Sequence, residues 1–319
     1  MIKVMRENKK LIIIVPCYNE EETLEYTTKE LTKKIEDLVN EGSISGDSGI
    51  CFVNDGSSDN TSEILSKLAD SDKRIALINL SRNFGHQYAL LAGMKTVNAD
   101  MVITVDADLQ DSLDSMDEMV AKYHEGYEIV YGCREKRKED TFLKKTTATL
   151  FYKIMKICCK RIYYNHADYR LMSRKALELL KEYNEKVVFL RGLIPHIGLK
   201  SATVYYDRAS RIFGKTKYNY AKMFELAWRG ITNYSIFPIR FITIIGLLFI
   251  VLAILAFVIM LIYFVIFDEK DKLIILISAM GLFSGFIMFS IGILGEYIAK
   301  ILYEVKGRPS FQIESTKNI

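Results

Sequence analysis

The five cysteines, Cys17, Cys51, Cys133, Cys158 and Cys159, form no Cys-x-x-Cys pair and stand at no metal-ligand spacing. They offer neither a disulfide framework nor a thiolate metal site, and read as buried or incidental thiols in a reducing compartment. No Gly-x-Gly-x-x-Gly opens a helix, which argues against a dinucleotide-binding domain. No nucleic-acid-binding signature accompanies the basic residues, so nucleic acid is not an expected partner. A signal peptide is also missing, since Lys9-Lys10 precedes only Leu11 to Val15 before Pro16 and a run of acids. Charge itself is absent from two stretches, 241–267 and 273–295. As helices they would reach about 40 and 34 Å, enough to cross a hydrocarbon core of about 30 Å, and both read as membrane spans.

The charge that is present is unevenly placed. The net charge is +4. Between Arg134 and Arg161, ten Lys/Arg against three Asp/Glu give a local +7, leaving −3 for the rest. Such a stretch beside membrane spans suggests anionic headgroups or phosphates. Within it Leu150, Phe151, Ile154, Ile157 and Cys158 recur at helical spacing among Lys153, Lys156 and Lys160. That pattern fits a helix resting on a membrane surface, or an ordinary core-facing helix with a solvated side. Arg208, Arg211, Lys215 and Lys217 crowd a loop around Gly214, which reads as a phosphate-binding loop or a solvated one. Arg229 and Arg240 precede the first span, Lys300, Lys306 and Arg308 follow the second, and the connecting hairpin 268–272 sums to −1. The positive-inside rule then places both termini and the soluble part in the cytoplasm of a multi-pass cell-membrane protein. Gly281 and Gly285, with small neighbours, would let the second span pack closely on the first or on another protomer, giving a homo-oligomer; Gly is also common in membrane helices generally.

In the soluble part, strands and helices alternate. Leu11–Val15, Ile50–Val53, Ile75–Leu80, Val102–Val105 and Ile129–Gly132 read as strands, with helices between the first four. Glu20 to Glu22 load the start of the first helix, and Ser58 or Asp59 suits the cap of the second. The alternation predicts a mostly parallel, doubly wound sheet. At the centre, Val102 to Val105 breaks into Asp106-Ala107-Asp108-Leu109-Gln110-Asp111. The carboxyl edge of such a sheet is where ligands sit. On an extended segment Asp106 and Asp108 would point the same way. Two hard oxygen donors there suit Mg2+ or Mn2+ bridging a nucleotide's phosphates, a solvated loop being the plain alternative.

Several motifs then agree. Pro16-Cys17-Tyr18-Asn19-Glu20, Asp55-Gly56-Ser57-Ser58-Asp59-Asn60-Thr61, Ser81-Arg82-Asn83-Phe84-Gly85 and the Asp106–Asp111 run resemble family 2 glycosyltransferases of GT-A fold. So do Ala167-Asp168-Tyr169-Arg170-Leu171-Met172-Ser173, Phe189-Leu190-Arg191-Gly192 and Gly214-Lys215-Thr216-Lys217-Tyr218. The chain is similar to the dolichol-phosphate mannose synthase and bactoprenol glucosyltransferase group, in the branch with two C-terminal spans. The resemblance implies an α/β, Rossmann-like GT-A catalytic domain at 1–235, a transmembrane hairpin at 236–300 and a cytoplasmic tail at 301–319.

The resemblance also implies a chemistry: inverting transfer from a nucleotide sugar to a polyprenyl phosphate for the cell envelope, with UDP-glucose or another UDP-hexose as donor, or GDP-mannose as the alternative. Pro16, Tyr18, Glu20 and Asp55 would hold the base and ribose, with Asp106 and Ala107 completing the nucleotide site. Asp106, Asp108 and Gln110 would surround the metal and diphosphate. Asp168 takes the place of the family's proposed catalytic carboxylate, positioning or accepting a proton. Arg134, Lys145 and Thr149 match positions that meet the lipid phosphate, and Arg208, Arg211, Lys215 and Lys217 would close over the phosphates. Three departures stand out: Ser112-Leu113 where two prolines are usual, His86-Gln87 for a common Lys-Glu, and His166-Ala167 for a small-Gly pair. His166 reads as a packing or hydrogen-bonding histidine, because no second ligand stands at metal spacing. A processive polysaccharide synthase would need a Gln-x-x-Arg-Trp element, whereas the single tryptophan sits in Ala227-Trp228-Arg229-Gly230. A catalytically silent membrane scaffold would not need Asp106, Asp108 and Asp168.

Overall fold

Apolar β-branched residues make the middle of the sheet, and all seven residues of β1 (Leu11–Cys17) are buried. Such a run, without polar alternation, is what a strand covered on both faces requires. The computed structural model describes residues 9–134, 166–186, 188–207, a scatter of positions between 239 and 259, and 272–319. After β1 come α1 (Leu24–Asn40), β2 (Gly49–Asn54), α2 (Thr61–Ser71), β3 (Ile75–Leu80), α3 (His86–Thr96), β4 (Met101–Thr104), α4 (Ser115–His124) and β5 (Ile129–Arg134). Next are β6 (His166–Ser173), α5 (Arg174–Glu182), α6 (Leu190–His196), β7 (Ser201–Tyr206), α7 (Lys272–Val305) and β8 (Ile313–Lys317).

The eight strands form one sheet in the order β7-β5-β6-β4-β1-β2-β3-β8. Strands β4, β1, β2 and β3 run parallel, as the alternation predicts, and so do β5 and β7. The sheet as a whole is mixed, because β6 lies antiparallel between β4 and β5 and β8 lies antiparallel on β3. The chain reverses its direction of travel across the sheet between β1 and β4, so the ends of these two strands flank the crevice where such sheets bind ligands. Leu11, Ile13, Val15 and Cys17 share a core with Leu31, Ile35, Leu38, Leu65, Met116 and Met119 of α1, α2 and α4. The opposite face of β1 meets α3. There a Cβ on Gly93 would lie 2.5 Å from Ile14 Cγ2 and 3.1 Å from Val53 Cγ2, so the absence of a side chain sets how closely α3 approaches. The described cysteines, Cys17, Cys51 and Cys133, are free and buried, and burial pushes the Cys51 and Cys133 thiols up to about 12 and about 11.

Four local expectations shift. Glu20 to Glu22 precede α1 instead of opening it, leaving Glu25 as the acid of its first turn. Asn60, not Ser58 or Asp59, is the N-cap of α2, although Asp59 Oδ1 accepts from Thr61 N at 3.1 Å. β4 ends at Thr104, so the acids beyond it do not lie on a strand. The last segment, read as a tail, contributes β8. It is held by Lys317 Nζ donating to the Asp70 carboxylate at 2.9 Å and to Ser66 Oγ at 2.8 Å, and by Asn79 Nδ2 donating to Ser315 Oγ at 3.0 Å.

The described chain divides into two units, one of Met1–Met223 with Pro309–Ile319 and one of Phe224–Arg308. In the second unit α7 runs for 34 residues. Within it Phe283–Val305 has a mean hydropathy of 1.6, and among the described residues this is the one segment long and apolar enough to cross a membrane. The expected two-helix hairpin is therefore described as one such helix, and that helix continues past residue 295. The described positions of 241–267 are helical, and the remainder of that stretch lies outside the described residues. Among the described residues, a Cβ on Gly285, Gly292 or Gly295 would meet nothing within 4 Å, whereas one on Gly246 would lie 3.8 Å from Phe286 Cε1. Gly281 has no described surroundings, so the expected packing at the Gly281 and Gly285 pair lies outside the described residues.

Gly93→Val is expected to lower stability by about 1–3 kcal/mol through overpacking against Ile14 and Val53, read as a lower melting temperature of the purified protein.

Candidate active site

The first two motifs are stitched together where β1 and β2 end. Asn19, in the left-handed region at φ 52°, receives Ser58 N on Oδ1 at 2.8 Å and donates its own N–H to Ser57 Oγ at 3.0 Å. Glu20 N donates to Thr61 Oγ1 at 2.9 Å. Pro16 is buried at the end of β1, while Tyr18 beside it is exposed. Asp55 is buried, and its two oxygens accept Phe84 N at 2.8 Å and Gly85 N at 2.9 Å. Burial raises its pKa, and those two bonds oppose the rise without cancelling it. The carboxylate clamps the third motif onto the second. Gly56 makes that approach possible: it sits at φ 62°, and a Cβ there would lie 2.4 Å from the Arg82 carbonyl carbon.

The acids after β4 form a turn. Leu109 N donates to the Asp106 carbonyl at 3.2 Å, Leu109 takes φ 45°, and Gln110 N donates to Asp108 Oδ1 at 3.3 Å. Ala107 is buried, and its carbonyl accepts from Thr27 Oγ1 of α1 at 2.6 Å. Asp111, also buried, accepts from Tyr206 Oη at 2.7 Å and Arg134 Nη2 at 3.0 Å. Burial works against the Arg134 charge, but Asp111 and Tyr206 outweigh it and raise the Arg134 pKa. This residue, expected at the lipid phosphate, is tied to the turn that carries the acids.

Asp168 enters from the antiparallel strand. In the β4–β6 register Thr104 stands opposite Arg170. Asp106, two residues beyond Thr104, and Asp168, two residues before Arg170, therefore lie at the same end of the two strands. Asp168 Oδ1 accepts from Arg170 Nη2, and Oδ2 accepts from Arg191 Nη2 at 2.9 Å and Gln87 Nε2 at 3.1 Å. His86 Nε2 lies 3.5 Å from Asp106 Oδ1 and 3.9 Å from Asp168 Oδ2, joining the two acids. Burial alone would raise Asp168, but the charges of Arg191 and Arg170, with His86, override it and hold the carboxyl well below the usual range. Asp106 moves the other way: burial raises it, His86 opposes, and the negative charges of Asp111, Asp168 and Asp108 add to the rise.

That contrast tests the fit of a divalent cation. Asp111 and Asp168 are ion-paired with arginines, whereas Asp106 stays destabilised by burial and like charge, with Asp108 and Gln110 as further oxygen donors in the same turn. A doubly charged hard cation is what this donor set would favour. No group of three His, Cys, Asp or Glu in metal geometry occurs among the described residues, so water and substrate oxygens would complete the shell. His166 is buried edge-on against Tyr131 at 5.6 Å, in keeping with a packing role. Lys145, Thr149, Arg208, Arg211, Lys215 and Lys217, and the 150–160 pattern, lie outside the described residues.

The sequence reading did not single out Gln87, Arg170, Arg191, Thr27 or Tyr206 as site residues. Arg170 had a signal, since Asp-x-Arg on a strand puts both side chains on one face. Arg191 and Gln87 come from elements 23 and 81 residues away from Asp168, and only the fold joins them.

Residues 12–180 match the model of the family described as Glycosyl transferase family 2. The uncharacterized glycosyltransferase YkoT of Bacillus subtilis (strain 168) is 45% identical over 306 residues, covering 95% of this chain and 91% of that one. The prophage bactoprenol glucosyl transferase homolog of Escherichia coli (strain K12) is 37% identical, covering 97% and 99%. The bactoprenol glucosyl transferase of Shigella phage SfX is 36% identical, covering 97% and 100%.

Because Asp168 has a folded pKa below its unfolded value near 3.9, its contribution to stability is complete above that pH and fades as pH falls toward the folded pKa. Asp168→Asn is therefore expected to lower the melting temperature more at pH 7 than at pH 3, a difference that calorimetry at the two pH values measures.

Proposed function

The chain belongs to glycosyl transferase family 2 and is a glycosyltransferase, and from that premise we propose that it transfers a hexose from a UDP-sugar, UDP-glucose or a relative, to a membrane polyprenyl phosphate with inversion at the anomeric carbon. The observation that carries the reading is the match along nearly the whole chain to a bactoprenol glucosyl transferase, which includes the apolar C-terminal part as well as the catalytic sheet. In support, the carboxylate-lined ends of β1 and β4 suit a nucleoside diphosphate, and α7 supplies a segment suited to lipid.

In this reading Pro16, Tyr18, Glu20 and Asp55 receive the base and ribose, and Ala107, fastened by Thr27, sets the height of the metal turn. Asp106, Asp108 and Gln110 hold Mg2+ or Mn2+, which when bound stabilises the charge of the departing diphosphate. Arg134, paired with Asp111, links the acceptor's phosphate to that turn, while Lys145 and Thr149 meet the same phosphate. Arg208, Arg211, Lys215 and Lys217 cover the phosphates from outside.

We also propose two membrane crossings with the catalytic unit and both termini cytoplasmic. β7 and β8 belong to one sheet, yet Phe224–Arg308 intervenes between them. A chain that leaves a domain and returns to it crosses a membrane an even number of times. With α7 as one crossing, the charge-free 241–267 stretch is the natural other, and the flanking Arg and Lys residues agree.

Purified protein given labelled UDP-glucose, UDP-galactose or GDP-mannose with Mn2+ and undecaprenyl phosphate is expected to place label in an organic-extractable, acid-labile product. Asp108→Asn should reduce that transfer by about a hundredfold or more while leaving the protein folded. Label appearing only as free sugar or water-soluble polymer with every donor would overturn the reading.

A further inference from the structure

Asp168 has little capacity left for a proton. Its Oδ1 is taken by Arg170 Nη2, and its Oδ2 by Arg191 Nη2 at 2.9 Å, Arg191 Nε at 3.3 Å and Gln87 Nε2 at 3.1 Å. Arg170 is fixed in turn, donating to the carbonyls of Ala167 at 3.3 Å and Leu190 at 3.4 Å, with a side chain 1% exposed. Gln87 has one possible orientation. Its Oε1 receives the Leu190 backbone N–H at 3.0 Å, which can only donate, and its Nε2 faces a carboxylate that can only accept. The amide thus ties the first turn of α3 to the first residue of α6 across Asp168. The Asp168 side chain is 8% exposed, whereas that of Arg191 is 29% exposed. At this node the guanidinium is the group that a substrate reaches more readily.

The chemistry proposed above needs no proton acceptor at Asp168. A phosphomonoester has its second pKa near 6 and is largely a dianion at neutral pH. Its oxygen forms the bond to the anomeric carbon as the bond from that carbon to the diphosphate oxygen breaks. Two negative charges on the acceptor and two on the donor become one on the phosphodiester and three on the released nucleoside diphosphate, and no proton moves. We propose that Asp168 serves the transfer as a fixed counter-ion which, together with Gln87, positions Arg191 to bind a phosphate oxygen of the substrates. This rests on the function proposed above. The phosphate is the acceptor's or the donor's, and both present the same oxygens to a guanidinium.

The test uses full-length protein carrying Arg191→Ala, Arg191→Lys, Asp168→Asn, Gln87→Glu, or Asp168→Asn combined with Arg191→Ala, each checked by thermal melting. Calorimetry measures binding of UDP with Mn2+ and, separately, of farnesyl phosphate; label transfer gives KM and kcat for each substrate. Arg191→Ala is expected to weaken one phosphate ligand at least tenfold, and Arg191→Lys to recover part of the loss. Adding Asp168→Asn to Arg191→Ala should cost less than a further threefold, because the two act as one unit. Gln87→Glu, which sets a second negative charge against Asp168, should reproduce the Arg191→Ala defect for the same ligand. Loss confined to farnesyl phosphate assigns Arg191 to the acceptor, and loss confined to UDP assigns it to the leaving diphosphate. Unchanged binding of both overturns the proposal. So does a thousandfold fall in kcat on adding Asp168→Asn to Arg191→Ala, which would make Asp168 a proton acceptor acting independently of Arg191. If Asp168→Asn fails to fold, Gln87→Glu and Arg191→Lys carry the comparison. The binding arms need no glycosylated lipid, so a wild-type protein that transfers nothing would count against the proposed function while leaving this test intact.

Discussion

Four carboxylates, Asp106, Asp108, Asp111 and Asp168, are gathered where β4 and β6 meet, and relief of their mutual repulsion organises the surrounding structure. Like charges at such separations repel by several kcal/mol unless solvent or counter-charge intervenes. Asp111 is neutralised by Arg134 and hydrogen-bonded by Tyr206, and Asp168 is neutralised by Arg170 and Arg191. Each pairing recruits a distant element, β7 through Tyr206 in one case and α6 through Arg191 in the other. Asp106 has no arginine of this kind, and His86 Nε2 lies 3.5 Å from its Oδ1. The arginines thereby do two things: they pair with two of the acids, and they tie β5 and α6 to the edge where those acids lie.

The mixed sheet is the geometric precondition. With parallel strands alone, the acids of β4 would face loops. Setting β6 antiparallel against β4 runs a second chain back through the same edge, so that Asp168 arrives level with Asp106. The neighbouring side of the crevice, proposed for the nucleotide, is built differently, from backbone. There Asp55 takes two N–H groups from the loop after β3, and Gly56 lets the chains approach more closely than any side chain permits. One half of the crevice is an electrostatic construction and the other a steric one.

Much of this was legible in the chain. Val102 to Val105 breaking into acids located the strand end to within a residue, because a buried parallel strand has no polar alternation and stops abruptly. The motifs at 16–20, 55–61 and 81–85 converged because each follows a parallel strand and all such strands end on the same edge. Neither β6 nor its direction was legible, since His166–Ser173 is fully buried and carries no periodicity that marks a strand or distinguishes parallel from antiparallel. Nor was the partnership of Asp168 with Gln87 and Arg191. Sequence spacing reports neighbours along an element, and these side chains meet across three. β8 escaped for a further reason: Ile313-Glu314-Ser315-Thr316-Lys317 is short, polar and half-exposed, as an edge strand tends to be.

That edge strand also has a place in time. β8 follows every other described strand in the chain, and its residue Ser315 bonds to Asn79, 236 positions earlier. Contacts so far apart in sequence form late, after the intervening chain has found its own structure. Until β8 has been made and has docked, β3 has an open edge, and an open edge is a template for pairing with another chain. The catalytic sheet therefore gains this edge only after the apolar segment Phe283–Val305 has been made. Completion of the sheet is thus conditional on the chain returning from α7 to β3, and a chain that failed to return would be marked by the edge left bare.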